Sequence, residues 1–127
     1  NSIPLWLPEK KLRKSIMRIV TNSLEPGEPK QTEDSALFAI YSAFANAGQR
    51  DAMKHAFAEG IGWGDAKQQC FELINAELKT ARSAYDELIS SPAKIEERLQ
   101  EGAERAREIT VPLMRQLRAA VGIRPLV

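Results

Sequence analysis

Cysteine and histidine are nearly missing from this chain: Cys70 and His55 are the only examples in 127 residues. A single cysteine closes no internal disulfide, so no disulfide framework is expected and a cytoplasmic setting is the default. One histidine with no second histidine or cysteine at ligand spacing leaves no zinc motif. No apolar run approaches the roughly 20 residues that span a bilayer. Asn1 to Pro8 lacks the basic stretch running into an apolar one that marks a secretory leader. Period-two alternation of apolar and polar residues is almost absent as well, which argues against a sheet.

What is present is ordinary for a soluble domain with a real hydrophobic core: 43% apolar and 28% charged residues. The net charge is only +1, yet the charge is unevenly spread. Residues 1–31 hold six Lys/Arg against three acids, residues 32–91 five against nine, and residues 92–127 seven against five. The ends are basic and the middle acidic, a pattern that makes a basic face only if the ends meet in space.

Helical periodicity accounts for most of the chain. Pro8 and Glu9 suit a helix start, and Leu12, Ile16, Ile19 and Val20 recur on one side. Two prolines and Gly27 make residues 22–34 an extended connection, after which Thr32 or Asp34 is a candidate cap. Ala36, Leu37, Ile40, Tyr41 and Phe44 form the next apolar face, which Asn46-Ala47-Gly48 is expected to end. A shorter helix is predicted from about Arg50 to Glu59, followed by a glycine-punctuated turn, Gly60 to Gly64. Asp65 then opens a long helix to about Ser90. Ser91 and Pro92 start the last one, which Gly122 ends. The expected fold is all-α: one domain over residues 1–127, an antiparallel bundle of about five helices, the last kinked near Pro112.

In that last helix, steps of about 100° per residue place Ile95, Leu99, Gly102, Ala106, Ile109, Leu113 and Leu117 on one apolar stripe. Gly102 is expected there as a close-packing site, offsetting its cost of roughly 1 kcal/mol relative to Ala. Pro112 cannot donate to the carbonyl of Glu108, hence the expected kink. Arg107 and Arg118 fall beside one margin of the stripe, Arg98 and Arg105 beside the other. Such arginines can lay their stems over apolar surface and keep their heads in water.

No catalytic constellation emerges. Cys70 lies on an apolar helix face and reads as an inert buried thiol. The Gly60–Gly64 turn follows a helix and lacks the Lys-Ser/Thr ending of a phosphate loop. The chain by itself is not expected to be an enzyme.

Three stretches do point to a family. "KKLRKSIMRIVTNSLEPGEPK" (Lys10–Lys30), "EGIGWGDAKQQCFELINAEL" (Glu59–Leu78) and "EGAERAREITVPLMRQLRAAVG" (Glu101–Gly122) resemble, in order and spacing, the C-terminal region of bacterial tryptophanyl-tRNA synthetases. Val20-Thr21-Asn22-Ser23 is similar to that family's Val-Thr-Asp-Ser element. Gly64-Asp65-Ala66-Lys67 is similar to its Gly-x-x-Lys element, and Gly102 to Arg107 to its Gly-Ala-x-Lys-Ala-Arg element. The chain departs from the pattern at Asn22, where aspartate is common, at Arg105, where lysine is, and at Trp63, where tyrosine is.

The resemblance implies the helical, anticodon-binding part of a class I synthetase. The catalytic domain, with its Lys-Met-Ser-Lys-Ser loop, would lie upstream of Asn1. The parent would use ATP and magnesium to activate tryptophan and transfer it to tRNA(Trp). It would be a homodimer, whereas this piece is expected to be monomeric and to hold no cofactor or metal. Its partners would be tRNA(Trp) and the parent's own catalytic domain, not DNA or a membrane. Lys67, Arg105 and Arg107 lie in the family-like elements and are candidate tRNA contacts. Arg115, Arg118, Arg13, Lys14 and Arg18 are candidates for wider phosphate contact. Trp63 either stacks on a base or plugs the end of the bundle. The competing reading is a helical protein-interaction or structural support module with no RNA role.

Overall fold

The first helix begins where proline stops being a burden. Pro8 has no amide to leave unpaired, and its carbonyl accepts from Lys11 and Leu12 at 2.8 and 2.9 Å. The computed structural model describes residues 3–123. From Pro8 the chain enters α1, Glu9–Met17, which buries Leu12 and Ile16. Their four-residue spacing is the apolar face legible in the sequence.

Helix α2, Ala36–Phe44, is capped by Ser35, whose side chain accepts from the Phe38 amide. Neither Thr32 nor Asp34, the expected caps, fills that role. Asn46 was expected to help end α2; instead it begins α3, Ala47–Ala58, through a capping box with Gln49. Both Asn46–Gln49 bonds are 2.9 Å long and satisfy amides that the helix start would otherwise leave open. Helix α3 therefore starts three residues earlier than its apolar periodicity suggested. Helix α4, Trp63–Ser90, begins two residues before Asp65, and α5 runs Pro92–Ala120. The described residues are thus all-helical, as expected, with five helices and no strand.

The chain divides into two compact units, Asn1–Ser83 and Ala84–Val127. In the first, Leu12 and Ile16 meet Leu37, Tyr41, Ala45, Met53, Phe57, Ala66, Cys70, Phe71 and Ile74 in one core. Burying each large side chain contributes about 1.5–3 kcal/mol. Phe57 is central: its ring packs edge-on against Phe38 at 5.6 Å and Trp63 at 5.5 Å. The buried face of α4 runs through Ala66, Cys70 and Ile74 and continues to Arg82, which is only 8% exposed and donates to Asn75 at 2.9 Å.

The second unit holds the end of α4 and all of α5. No residue of α5 is buried, so the expected stripe of Leu99, Ile109, Leu113 and Leu117 is exposed apolar surface. Nothing lies within 4 Å of a side chain added at Gly102, which overturns its reading as a close-packing site. Pro112 lies inside α5, which continues to Ala120. Two residues before it, the Thr110 hydroxyl donates to the Ala106 carbonyl at 2.8 Å, a back-bond of a kind that often bends helices.

Candidate nucleic-acid interface

The connection from Arg18 to Ser35 is the irregular part of the first unit, and its shape follows from its residues. Pro26 and Pro29 exclude a helix. Gly27 takes a φ of 90° and Gly60 one of 87°, values that L side chains rarely adopt. These two glycines meet: the Gly27 amide donates to the Gly60 carbonyl at 2.8 Å. A Cβ at Gly60 would run into the Gly27 backbone. Three residues on, the Lys30 amide donates to the Phe57 carbonyl at 2.8 Å. The connection is thereby fastened to the end of α3.

Lys30 is the buried member of this clamp, only 5% exposed. Its ammonium donates to the carbonyls of Glu25 and Glu28, both at 2.9 Å, and lies 5.5 Å from the Trp63 ring centroid. The Trp63 indole N–H donates to Asn22 Oδ1 at 3.1 Å, and the Leu24 amide donates to the same oxygen at 3.2 Å. Trp63 is thus fixed on three sides by Phe57, Lys30 and Asn22. Beside it opens a cleft of about 560 Å³, whose lining includes Val20, Thr21, Asn22, Gln31, Asp34 and Trp63.

Two of the eight basic candidates lie where α1 adjoins the first turns of α4. Arg13 donates to Gln68 Oε1 at 3.1 Å, and the Lys67 ammonium reaches the Met17 carbonyl at 3.5 Å. Lys14 and Arg18 are exposed and stand four residues apart on one helix row, on the side of α1 away from the buried Leu12 and Ile16. Three ion pairs occur among the described residues: Lys54–Asp51, Lys94–Glu87 and Arg98–Glu101. None involves these four cations, so their charge is not locally neutralised.

The other four candidates, Arg105, Arg107, Arg115 and Arg118, are exposed on α5 in the second unit. Arg105 donates to the Glu101 carbonyl at 3.4 Å. Two helical steps place Arg105 and Arg107 about 200° apart, too far round the helix to share one phosphate.

The expected inert thiol is confirmed. Cys70 is fully buried, and loss of hydration pushes it up to about 11, far from a nucleophile's range. His55 lies on a shallow depression with Asp51, Lys54 and Ala58. No group of three or more potential metal-ligating side chains occurs among the described residues, and no described helix is long and apolar enough to cross a membrane.

Sequence reading missed the parts that build the cleft. Lys30 was given no role of its own, and Asn22 read as a family departure. The only hint was the crowding of Pro26, Gly27 and Pro29 around Lys30.

No family model matches the chain. It is 48% identical over 126 residues to the tryptophan–tRNA ligase of Pseudomonas aeruginosa, which covers 99% of this chain and 28% of that protein. It is 47% identical to the ligase of Neisseria meningitidis, again over 99% of this chain and 38% of that protein. The chain is homologous to bacterial tryptophanyl-tRNA synthetases. The matched portion is their C-terminal part. A crystal structure of the Campylobacter jejuni tryptophanyl-tRNA synthetase, complexed with ADP and tryptophan, superposes with a TM-score of 0.84 at 34% identity. That match covers 96% of this chain and 39% of the other. The chain thus spans between about a quarter and two fifths of the length of these synthetases.

Proposed function

We propose that this chain is the tRNA-positioning and anticodon-recognition region of a tryptophan–tRNA ligase. The whole enzyme would work in the cytoplasm, use ATP with magnesium to activate tryptophan and transfer it to tRNA(Trp), and act as a homodimer. The active site for that chemistry would be supplied by residues outside this chain. The observation that carries the reading is the α1–α4 seam. Arg13 and Lys67 meet there, and Lys14 and Arg18 stand exposed on the same segment. None of the four has an acidic partner within ion-pair distance among the described residues, and Lys67 follows Trp63, the fixed aromatic wall of the cleft, by one turn. Cations that follow a phosphate backbone next to a pocket for an unstacked base are what single-stranded RNA loops require. Arg105, Arg107, Arg115 and Arg118 are proposed as a second set of backbone contacts.

The test is binding of the chain to tRNA(Trp) transcript at a series of salt concentrations. Affinity should fall as salt rises, and a changed anticodon should weaken binding. Each phosphate contact removed by substitution should lower the slope of log affinity against log salt by about 0.7–0.9. Equal, anticodon-blind binding by this chain and an unrelated helical bundle would remove the reading.

The exposed apolar stripe of α5 favours a second reading, a helical interaction or support module with no RNA role. Arg13→Ala, Lys14→Ala, Arg18→Ala and Lys67→Ala together separate the two. Unchanged tRNA affinity in that variant would favour the support module.

A further inference from the structure

The cleft beside Trp63 has features that the basic seam does not explain. Its volume, about 560 Å³, lies within the range of about 300–1,000 Å³ typical of small-molecule pockets. Two of its apolar lining residues, Trp63 and Val20, are unequal in kind. Trp63 is half-buried and held by Asn22, Lys30 and Phe57, so its ring is ordered before any ligand arrives. Val20, by contrast, is 90% exposed, a β-branched side chain with almost no cover.

The polar lining is equally specific. Asn22 spends its carbonyl oxygen on the Trp63 and Leu24 N–H groups, which leaves its amide nitrogen as a donor. Asp34 makes no hydrogen bond or ion pair among the described residues (its neighbour Ser35 is the helix cap). Its carboxylate is an acceptor only. The nearby ammonium, Lys30, is already committed to two carbonyls and the indole face. A site offering a free carboxylate and no free cation repels phosphate. It suits a flat, uncharged ligand that presents a hydrogen-bond donor beside an acceptor.

We propose that this cleft receives one unstacked nucleobase bearing an exocyclic amino group, from the anticodon loop of the bound tRNA. The inference rests on the tRNA-binding reading above and specifies where sequence is read. The amino group donates to Asp34, the adjacent ring nitrogen accepts from the Asn22 amide, and the base packs on Trp63 and Val20. Arg18, two residues before Val20, and Lys14, one turn before Arg18, then hold flanking phosphates. Base edge and backbone are thus separated onto different residues.

The experiment measures dissociation constants of the chain for tRNA(Trp) transcript and for transcripts with each anticodon base in turn replaced by uridine. Uridine places a carbonyl where the amino group was. One replacement should weaken wild-type binding by about tenfold, the order expected for a lost two-point base contact. Asp34→Asn and Asn22→Ala should bring that ratio below about twofold for the same base. Lys14→Ala with Arg18→Ala should weaken every transcript alike and leave the ratio intact. Asp34 is exposed and unpaired, so its variant keeps the fold; Asn22→Ala is checked by helical circular dichroism. Anticodon discrimination that survives both cleft variants overturns the cleft assignment and leaves the tRNA reading standing. Equal loss for all transcripts in Asp34→Asn also overturns it. Failure of the chain to bind any transcript overturns both.

Discussion

The two units of this chain carry amphipathic helices of similar pattern and bury them to different extents. In residues 9–74, the apolar positions of α1 to α4 close on one another around Phe57, and eleven side chains form a core. In α5 the stripe is just as regular, yet Leu99, Ile109, Leu113 and Leu117 are all at least half exposed. A hydrophobic period identifies a face fit for burial; it does not supply the surface that covers it. The two units also hold basic residues differently. In the first unit Arg13 and Lys67 meet where α1 adjoins α4, whereas those of α5 are spread around one exposed helix.

The largest effect that would sharpen this contrast is a pair of truncations. Phe57 is 1% exposed and touches two rings, so Phe57→Ala should cost about 3–5 kcal/mol of unfolding free energy. Ile109 is 73% exposed, and Ile109→Ala should change stability by no more than about 0.5 kcal/mol. Urea titrations of both variants give the ratio. Comparable losses would mean that the apolar stripe of α5 is covered in solution.

Next comes Gly60→Ala. The substitution asks an L residue to hold a φ of 87° with its Cβ against Gly27, and a loss of about 1–3 kcal/mol should follow. If the connection from Arg18 to Ser35 were only loosely attached to α3, the melting temperature would not move.

A smaller effect comes from pH. Burial raises the Cys70 thiol from its ordinary value near 9 to about 11. Between those values the unfolded chain has lost a proton that the folded chain keeps, so stability falls as pH rises. The contribution is full below pH 9 and gone above the folded value. Unfolding midpoints at pH 8 and 10.5 should therefore differ less in Cys70→Ala than in the wild type. In the native chain the thiol should also resist alkylation at pH 8.

The smallest effect lies at the corner between α4 and α5. Lys94 donates to Glu87 at 2.6 Å and holds its carboxyl below the usual carboxylate value. Both groups are exposed, and surface pairs of this kind add little to stability. Lys94→Ala should return the Glu87 titration, followed by NMR, towards the ordinary value while leaving the unfolding midpoint in place.

Much of the helix pattern is legible in the sequence because it is local. Leu12 and Ile16, Leu37 and Tyr41, and Cys70 and Ile74 repeat at four residues, and all are buried. The errors come where several residues compete for one role. Thr32, Asp34 and Ser35 are all good caps, and only the path of the connection selects Ser35. On α4, the four-residue row through Ile74 and Leu78 runs on to Arg82, a charged residue that is buried while its neighbour Ala81 is exposed. Val20 was assigned to the core side of α1, yet the helix ends at Met17 and Val20 turns outward to the cleft.

The cleft was the least legible part. Asn22 and Trp63 are 41 residues apart, and no periodicity links them. Lys30 is buried only because Gly27 and Gly60 draw its segment against α3. The eight basic candidates were legible as residue types. That Arg13 and Lys67 meet across α1 and α4, while those of α5 stay spread on an exposed helix, was not.

By itself, then, the sequence determined the helical class, the breaks between helices and the kinship with tryptophanyl-tRNA synthetases. Each of these resides in local spacing or in residue order. The tertiary structure alone decided which apolar faces are covered, which cations stand together and that an asparagine steadies a tryptophan beside an open cleft. Those are contacts between distant segments, set by the close packing of the first unit's core.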